Sequence, residues 1–273
     1  MKNNTVIFGQ PWGGLGDNLA YSNLPKLYNN AGIKFKVSYF NSSRNREIFN
    51  FVWKNNKYYK GRSFLFPNVG SNISLKNDIK VDSKFNIVQN INIKHGFEPG
   101  DGYPLINLDS IVLNNERKFD TVADLSGYSI FKTAGLSYDV KELDEIKEKL
   151  INEGTSFLNY NNLKRNTMNL NNKANKNLIQ IDSISNLVKI LSNTDIFICL
   201  NSGSHVVAAT LKNLTGYPKK IISYYPGLDS GKKVLGNYLF DNVKYINTAI
   251  KKNKKAKPSK KILLYSRFYD YIN

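Results

Sequence analysis

Two short segments of the chain combine glycines with polar side chains in a way that suits ligand binding. The first is GGLGDN at 13–18, which follows the apolar run TVIFGQ at 5–10. The second is NSGS at 201–204, which follows the apolar run TDIFICL at 194–200. Each lies where a strand-like run passes into a helical pattern, and a helix N-terminus presents free N–H groups and a positive dipole end. We therefore expect a ligand at each segment.

The carboxylate of Asp17 distinguishes the first segment from the second. Glycines at 13, 14 and 16 allow a ligand to approach the backbone, but their spacing is not the G-x-G-x-x-G of dinucleotide sites. Asp17 at the start of the helix would repel a pyrophosphate. The first segment therefore predicts a carboxylate that meets an uncharged group, and the second predicts a phosphate site. Without any function, Asp17 would simply cap the first helical turn.

Three further residues have both a functional and a structural interpretation. His205 follows the second segment and is either a ligand contact or a first-turn residue bonded to a nearby carbonyl. His95, in the turn-rich segment KHGFEPGDGYP, faces either a sugar or solvent. Arg44 opens a predicted helix, where it faces either an anionic acceptor or water.

The elements that must position these residues alternate as strand and helix. Strands are predicted at 5–10, 35–40, 63–69, 121–129, 177–182, 194–201 and 219–226, and helices at 18–31, 46–54, 139–154, 184–193 and 204–213. Continuously apolar strands between helices favour a parallel sheet covered on both faces, an α/β architecture.

Length and composition favour two domains. The chain has 273 residues and is 41% hydrophobic, which is enough for two cores. We expect a first domain at 1–117, a second at 118–250 and a basic tail at 251–273. The asparagine-rich stretch 159–177 is predicted to be a polar loop.

The charge is strongly positive. There are 39 Lys and Arg residues against 21 Asp and Glu, a formal net charge of +18. The excess predicts a polyanionic partner, such as nucleic acid, an anionic membrane or a phosphorylated glycan. A lysine- and asparagine-rich composition from an AT-biased genome would explain much of the same excess. The lysines of the tail, at 251–261, suggest a surface anchor.

Several classes of protein are disfavoured. The chain has one cysteine, Cys199, and two histidines, so we expect neither an internal disulfide nor a Cys/His zinc site. No run approaches the ~20 apolar residues of a membrane span. The N-terminus has the pattern of a strand rather than that of a signal peptide. These features predict a cytoplasmic protein whose chemistry needs no metal and no cofactor.

Three blocks of sequence resemble the heptosyltransferase-like GT-B glycosyltransferases. GDNLAYSNLP at 16–25 resembles their first-helix motif, and the stretch 185–213 resembles their strand that ends in Asp-Ser/Thr-Gly, with Asn201 in place of the acid. YYPGLDSGKK at 224–233 resembles the following strand and donor-facing loop. The resemblance implies a GT-B-like α/β fold of two Rossmann-like domains whose parallel sheets face a central cleft, with the acceptor domain first and the donor domain second.

The resemblance also implies roles for individual residues. Asp17 would be the catalytic base that deprotonates an acceptor hydroxyl, and the nucleotide sugar would be a substrate rather than a cofactor. Acceptor or sugar contacts would come from Gly13, Gly14, Gly16, Asn18, Arg44 and His95, and donor contacts from Ser202, Gly203, Ser204, His205, Lys232 and Lys233.

The implied activity is inverting, metal-independent sugar transfer. The expected acceptor is a lipopolysaccharide- or capsule-type glycan, with the basic tail against the anionic inner membrane. One alternative is a phage-type enzyme that glycosylates a hydroxymethylated base of DNA in the host cytoplasm, for which the positive charge would contact phosphates. Another is a non-catalytic protein that binds nucleotides or nucleic acid on the same fold.

Overall fold

The computed structural model describes residues 5–70, 84–109, 111, 113, 118–126, 136–160, 177–226 and 238–252. The described residues fall into two compact units that meet in sequence between Ser110 and Ile111. The predicted domain limits at 117 and 250 stay predictions. Within the described residues, no helix has both the length and the apolar character required to cross a membrane.

The first unit contains a four-stranded parallel sheet. Its elements are β1 (Thr5–Gly9), α1 (Leu15–Ala20), α2 (Leu24–Asn30), β2 (Lys34–Ser38), α3 (Arg46–Phe49) with a π-helical turn (Asn50–Lys54), β3 (Arg62–Ser63), β4 (Val69–Gly70) and α4 (Ile87–Lys94). The strand order is β3-β2-β1-β4. The core beside β1 is aromatic, because Phe8 packs against Tyr21, Phe35 and Trp53 at centroid distances of 5.1 to 5.7 Å.

Two predictions for the first unit are wrong in detail. The helix expected over 18–31 is two helices, interrupted at residues 21–23 before Pro25. Proline has no N–H and its ring clashes with the carbonyl four residues earlier, so a new helix starts there instead. A single strand is expected at 63–69, but the structure has two short strands there, β3 and β4, at the two ends of this range. Residues 64–66 between them are exposed.

The second unit contains a six-stranded parallel sheet. Its elements are β5 (Phe119–Asp124), β6 (Leu136–Tyr138), α5 (Val140–Asn152), β7 (Ser156–Tyr160), β8 (Leu178–Ile181), α6 (Ile184–Leu191), β9 (Thr194–Leu200), α7 (Gly203–Thr215), β10 (Lys220–Pro226), β11 (Lys244–Thr248) and β12 (Ile250–Lys252). The strand order is β11-β10-β9-β5-β7-β8, and β6 and β12 form a separate antiparallel pair.

Local signals set the helix bounds of this unit. Asp139 caps α5 by accepting a hydrogen bond from the N–H of Lys141 at 2.9 Å, and Gly154 follows the helix with a positive φ of 76°. The predicted polar loop at 159–177 begins too early, since Asn159 and Tyr160 belong to β7. Its residues 161–176 lie outside the described residues.

Both sheets reverse their order of construction at one point. In the first, the chain builds outward from β1 to β2 and β3, then returns to place β4 on the other side of β1. In the second, it builds from β5 to β7 and β8, then returns to place β9 on the other side of β5. Ligands of open α/β sheets bind outside the carboxyl ends of the strands at such switch points. The segments 13–18 and 201–204 follow β1 and β9, so each lies at the switch point of its own sheet.

Candidate functional sites at the two strand-to-helix junctions

The first junction needs glycine because a loop backbone passes close to it. Gly13 accepts a hydrogen bond at its carbonyl from the N–H of Arg44 at 2.8 Å. A Cβ on Gly13 would lie 2.9 Å from that same nitrogen, and a Cβ on Gly14 would lie 2.6 Å from Asp17 Oδ2. Two predicted ligand-facing glycines are thus also required for the local packing, whereas Gly16 lies inside α1.

Asp17 is partly exposed and held at the start of α1. Its Oδ2 accepts a hydrogen bond from the N–H of Gly14 at 3.1 Å. The capping interpretation of this carboxylate is therefore confirmed. One oxygen bound in this way fixes the orientation of the carboxylate, which is also what a catalytic base requires.

Arg44 brings a positive charge to the same helix start. Arg44 is an exposed residue on the loop after β2, and its Nη2 is 3.9 Å from the position that a Gly14 Cβ would take, the same position that lies 2.6 Å from Asp17 Oδ2. A guanidinium and a carboxylate therefore share this junction. The proposed contact of Arg44 with an anionic acceptor stays a prediction.

Asn18 has a structural role. Its side chain is 0% exposed. Its Nδ2 donates to the carbonyls of Gly14 at 2.9 Å and Ser42 at 3.3 Å, and its Oδ1 accepts from Trp53 Nε1 at 2.9 Å and from Ser43 Oγ at 3.1 Å. Because protein groups occupy all of these atoms, Asn18 locks the loop after β2 onto α1. Its predicted contact with an acceptor is not favoured by this geometry.

His95 lies at the end of α4 and packs against α2. Its Nδ1 is 2.9 Å from Tyr28 Oη, and the ring meets that of Tyr28 edge-on. Burial lowers the pKa of His95 to about 4, against the opposing effect of a hydrogen bond to the backbone of Gly70. Because its pKa is about 4, this histidine is neutral near pH 7. Its partner Gly70 ends β4 beside the end of β1, so His95 lies at the carboxyl edge of the first sheet.

The second junction leaves the start of its helix open. Ser202 is the N-cap residue of α7, in extended conformation, yet its hydroxyl makes no capping hydrogen bond. That hydroxyl instead lies 2.8 Å from Ser204 Oγ. The first N–H groups of α7, including those of Gly203 and Ser204, therefore have no side-chain cap, which is the arrangement that binds phosphate at helix starts.

Asn201 precedes this helix start and carries an unused donor. The side chain is 3% exposed, and its Nδ2 has no hydrogen-bond partner among the described residues. Its backbone N–H donates to Tyr138 Oη at 3.0 Å, and Tyr138 Oη donates to the carbonyl of Tyr224 at 2.8 Å. The backbone is thereby fixed while the amide has a donor left over, and a buried donor of this kind is costly unless a ligand satisfies it.

A chain of hydroxyl groups explains why Ser202 does not cap its own helix. Asp124, 2% exposed, ends β5 beside β9, and its Oδ2 accepts from Tyr160 Oη at 2.8 Å. Since Tyr160 donates to this carboxylate, its oxygen accepts the hydrogen bond of the Ser204 hydroxyl. Ser204 then accepts from Ser202. Burial, with Asp124 as the second cause, raises the pKa of Tyr160 well above its usual value, so the chain keeps this direction at neutral pH.

Sequence reasoning missed Asp124 and Tyr160. They come from two strands and meet only because β7 lies beside β5 in the sheet. Their positions could have identified them, because each is the last residue of its strand. The carboxyl ends of parallel strands share one edge of the sheet, where ligands bind.

His205 belongs to the core of the second unit. It is 0% exposed, its Nε2 is 2.9 Å from Tyr245 Oη, and its ring packs against Phe240 and Tyr245. Burial lowers its pKa to about 3, so it is neutral. A neutral, enclosed imidazole is unsuited to contact a diphosphate, and the geometry does not favour the predicted donor role of His205.

Two predicted donor residues, Lys232 and Lys233, lie outside the described residues. Within the part of the chain that the structure describes, no three His, Cys, Asp or Glu side chains are grouped in a way that would hold a metal ion.

Solved glycosyltransferase structures share this fold. The iron-containing dodecameric glycosyltransferase TibC from enterotoxigenic E. coli H10407 matches with a TM-score of 0.54 and 13% identity, over 87% of this chain and 61% of TibC. E. coli ADP-heptose lipopolysaccharide heptosyltransferase II matches with a TM-score of 0.52 and 12% identity, over 89% of each chain. A family 9 glycosyl transferase from Veillonella parvula DSM 2008 matches at 0.52 and 9%, over 89% of this chain and 85% of its own.

These likenesses confirm the predicted α/β fold with two parallel sheets and, at the level of fold, the resemblance to heptosyltransferases. A second TibC structure, in complex with ADP-D-β-D-heptose, matches with a TM-score of 0.54 and 13% identity, over 82% of this chain and 59% of that one. This chain thus spans about three fifths of the length of TibC. No protein-family model matches the sequence, and no curated protein matches it significantly.

Proposed function

We propose that the protein is a glycosyltransferase that moves a sugar from a nucleotide-sugar donor to an acceptor hydroxyl. The observation that carries the proposal is the start of α7 at the switch point of the second sheet. There a helix of 13 residues has no side-chain cap, and the buried Nδ2 of Asn201 beside it has no partner among the described residues. Backbone N–H groups with one extra buried donor suit the diphosphate of a nucleotide sugar.

The fold supports this assignment. A solved protein with the same fold, TibC, holds ADP-D-β-D-heptose, although it is only 13% identical to this chain. Fold alone does not give function, which depends here on the chemistry of the two junctions. The second would supply donors for a departing nucleoside diphosphate, through the backbone N–H groups of Ser202, Gly203 and Ser204, with Nδ2 of Asn201 added.

The first junction would supply the base. Asp17 is held in one orientation by the N–H of Gly14, and its side chain is partly exposed, so an acceptor hydroxyl can approach the carboxylate. As Asp17 takes the proton of that hydroxyl, the hydroxyl oxygen would bond to the anomeric carbon while the bond from that carbon to the nucleoside diphosphate breaks. This single displacement would invert the configuration. In this proposal no metal neutralises the leaving group, and the lysines at 232 and 233 are candidates for that task.

The acceptor we favour is a lipopolysaccharide- or capsule-type glycan, because one structure of the same fold is named a lipopolysaccharide heptosyltransferase. That choice is an inference from fold, and the experiment is designed to test it separately from the transfer itself.

The test is mass spectrometry of reactions that combine UDP-, GDP-, ADP- and CMP-sugars with two acceptor pools, truncated lipooligosaccharide and hydroxymethylcytosine DNA. We expect a sugar-mass gain on the glycan pool, in the presence of EDTA as in its absence. Asp17→Asn should lower kcat about 10²- to 10⁴-fold without weakening donor binding, the range of general-base catalysis. Asp120→Asn, a change of an exposed carboxylate on β5, is the matched control and should leave kcat unchanged.

Each outcome decides a separate part of the proposal. A gain only on DNA would replace the glycan acceptor with a modified base. Full activity of Asp17→Asn would remove Asp17 as the base, and loss of activity in EDTA would remove metal independence. Intact nucleotide sugars in every reaction, with no binding of any nucleoside diphosphate, would leave the non-catalytic interpretation.

A further inference from the structure

The first unit has an exposed apolar surface that the proposed function does not use. We name it the aromatic tip. Its residues and their exposed fractions are Tyr39 44%, Phe40 41%, Phe64 79%, Leu65 66% and Phe66 54%. Single exposed apolar residues are common on soluble proteins, but five on two adjacent strand ends form a contiguous patch, which marks an interaction surface.

The tip is built from two parallel strand ends. Ser38 of β2 is paired with Ser63 of β3, and the residues that follow each strand stack on one another. The ring of Tyr39 lies on that of Phe64 at 4.1 Å and an interplanar angle of 11°, and Phe40 lies on Phe66 at 4.4 Å and 7°. The two stacked pairs form a small apolar block instead of separate side chains.

Serine hydroxyl groups hold the two strand ends in place. Ser38 Oγ donates to the carbonyl of Leu65 at 2.9 Å, and the N–H of Leu65 donates to Ser63 Oγ at 3.2 Å. Beyond the tip, Asn68 Oδ1 accepts from the N–H of Ile7 at 2.7 Å, which ties the chain back to β1. The backbone that carries the apolar side chains is thus held in place, so little backbone conformational entropy remains to be lost on binding.

The segment that precedes residues 64–66 of the tip in the sequence is positively charged. Lys54, Lys57, Lys60 and Arg62 are all exposed, and the sequence from 48 to 70 contains no Asp or Glu. The guanidinium of Arg62 lies over the rings of Tyr39 and Phe49, at 4.3 and 4.1 Å from their centroids. The tip therefore combines exposed rings and a leucine with the guanidinium of Arg62, and three exposed lysines lie in the segment just before it.

We propose that the aromatic tip binds the interface of an anionic lipid bilayer, with Phe64, Leu65 and Phe66 inserted among the lipids. Aromatic rings favour the boundary between headgroups and acyl chains, and neighbouring Lys and Arg side chains bind anionic headgroups. The stems of the lysines can lie along apolar surface while their ammonium groups stay at the headgroups. This contact is separate from the predicted basic tail and does not depend on the proposed transferase activity.

Charge favours this occupant over two others. A second copy of the chain would bring another formal charge of +18 towards a protein of the same charge, so self-association through the tip is opposed. Duplex DNA would pair with the four cations but would leave Phe64 and Leu65, the two most exposed apolar side chains of the tip, in water. An anionic bilayer satisfies the charges and the apolar block together.

The experiment is sedimentation of the full chain with vesicles of phosphatidylcholine alone and of phosphatidylcholine with phosphatidylglycerol. The variant Phe64→Ser/Leu65→Ser/Phe66→Ser should bind mixed vesicles at least about tenfold more weakly, since interfacial binding scales with the apolar area buried. Lys57→Gln/Lys60→Gln should weaken binding about fivefold per lysine, on mixed vesicles only and less at high salt. The control Ile93→Ser/Leu214→Ser removes exposed apolar side chains elsewhere, 41% and 51% exposed, and should bind as the parent does.

The proposal is overturned if the parent does not bind mixed vesicles, or if the tip variant binds them as well as the parent does. It is overturned as well if the tip variant and the control lose binding equally. The same holds if binding is lost completely when only the tail lysines 254–261 are changed to glutamine. It is also overturned if the tip variant keeps vesicle binding but changes the size of the protein in gel filtration or its affinity for duplex DNA. Thermal unfolding of each variant verifies that the fold is retained.

Discussion

The junction after β1 and the junction after β9 occupy equivalent places in two parallel sheets but present different chemical groups to a ligand. At the first, a carboxylate, Asp17, accepts a hydrogen bond from the N–H of Gly14. At the second, the capping residue Ser202 has its hydroxyl drawn away toward Ser204, and the helix start stays open beside the unused donor of Asn201. One switch point thus presents a carboxylate with a guanidinium nearby, and the other presents N–H donors and the positive end of a helix.

The difference shows that the position in the fold does not determine the ligand chemistry. Both sheets place a helix start at the carboxyl edge, where a ligand is expected. Whether that helix start binds an anion depends on whether a side chain of the protein already accepts its N–H groups. At the second junction this depends on Asp124, which lies 80 residues before Ser204 in the sequence and acts through Tyr160.

Acid should produce the largest change, and it tests whether His205 belongs to the core or to the donor site. The folded-state pKa of His205 is lowered to about 3 and that of His95 to about 4. The unfolded chain therefore binds more protons than the folded chain below about pH 6.5, so stability is present above that pH and is lost as the pH falls. For His205 the loss is about 3 kcal/mol at pH 4, and for the partly exposed His95 it is smaller.

The measurement is denaturant unfolding at pH 7 and pH 4. His205→Gln, which can still bond Tyr245 Oη, should lose less stability between the two pH values than the parent does, and His95→Gln should show a smaller benefit. An unchanged pH dependence in His205→Gln would mean that this ring is protonated or exposed in the folded protein.

Ser202→Asp would make the second junction resemble the first. A carboxylate at the N-cap should accept the N–H groups that the serine leaves open, and we expect a gain of about 0.5 to 2 kcal/mol in the free energy of unfolding. The same charge should lower affinity for a nucleoside diphosphate about 100-fold, because the anion loses its donors and meets a negative group. Titration calorimetry with ADP, UDP and GDP measures the affinity.

The matched control is Ser183→Asp. Ser183 caps α6 in the same unit, where its hydroxyl already accepts from the N–H of Asn186 at 3.1 Å. This variant should leave diphosphate affinity unchanged. Equal affinity of Ser202→Asp and the parent would show that the start of α7 does not hold the diphosphate.

Much of the fold can be predicted from the sequence, because apolar runs and caps are local signals. The strands after 118 that carry long apolar runs, such as β9 and β10, are predicted within a residue or two, and Asp139 and Gly154 mark the ends of α5. The strand at 63–69 fails because SFLF has the composition of a buried strand, although the structure places those side chains in water. Composition alone does not distinguish an apolar core from an apolar surface.

The candidate sites are less predictable, because they depend on contacts between distant residues. The two junctions can be located, and Asp17 identified, from glycines and a carboxylate at strand ends. The roles of Asn18 and His205 cannot be predicted in this way. Their side chains are hydrogen-bonded to Trp53 and Tyr245, which are 35 and 40 residues away in the sequence. The direction of the hydroxyl chain from Ser202 to Asp124 is visible only once β5, β7 and β9 lie side by side.

Gly14→Ala should separate the two roles of the first junction. The backbone of Gly14 is extended, with a φ of −67°, so alanine causes no strain there, but the new Cβ would lie 2.6 Å from Asp17 Oδ2 and displace the carboxylate. We expect kcat to fall about 30-fold, which is less than the ~100-fold loss that a misplaced catalytic group can cause. The free energy of unfolding should change little. Gly13→Ala is the contrast, because its Cβ meets the backbone nitrogen of Arg44 and should cost about 1 to 3 kcal/mol of stability. If Gly14→Ala keeps full activity, the bound orientation of Asp17 is irrelevant to transfer.

Asn201→Ala should have the smallest effect on diphosphate binding. It is informative because binding should weaken while the free energy of unfolding stays nearly the same. The amide nitrogen is buried and unused among the described residues, so its removal relieves an unsatisfied donor while it leaves a small cavity. We expect the free energy of unfolding to change by less than about 1 kcal/mol, and diphosphate affinity to fall about tenfold, the value of one hydrogen bond to a charged group. The control Asn193→Ala removes an amide that donates to the carbonyl of Lys189 at 2.9 Å, and it should cost stability without weakening binding. If Asn201→Ala destabilises the protein and leaves affinity unchanged, this amide serves the fold, and the second junction then depends on backbone donors alone.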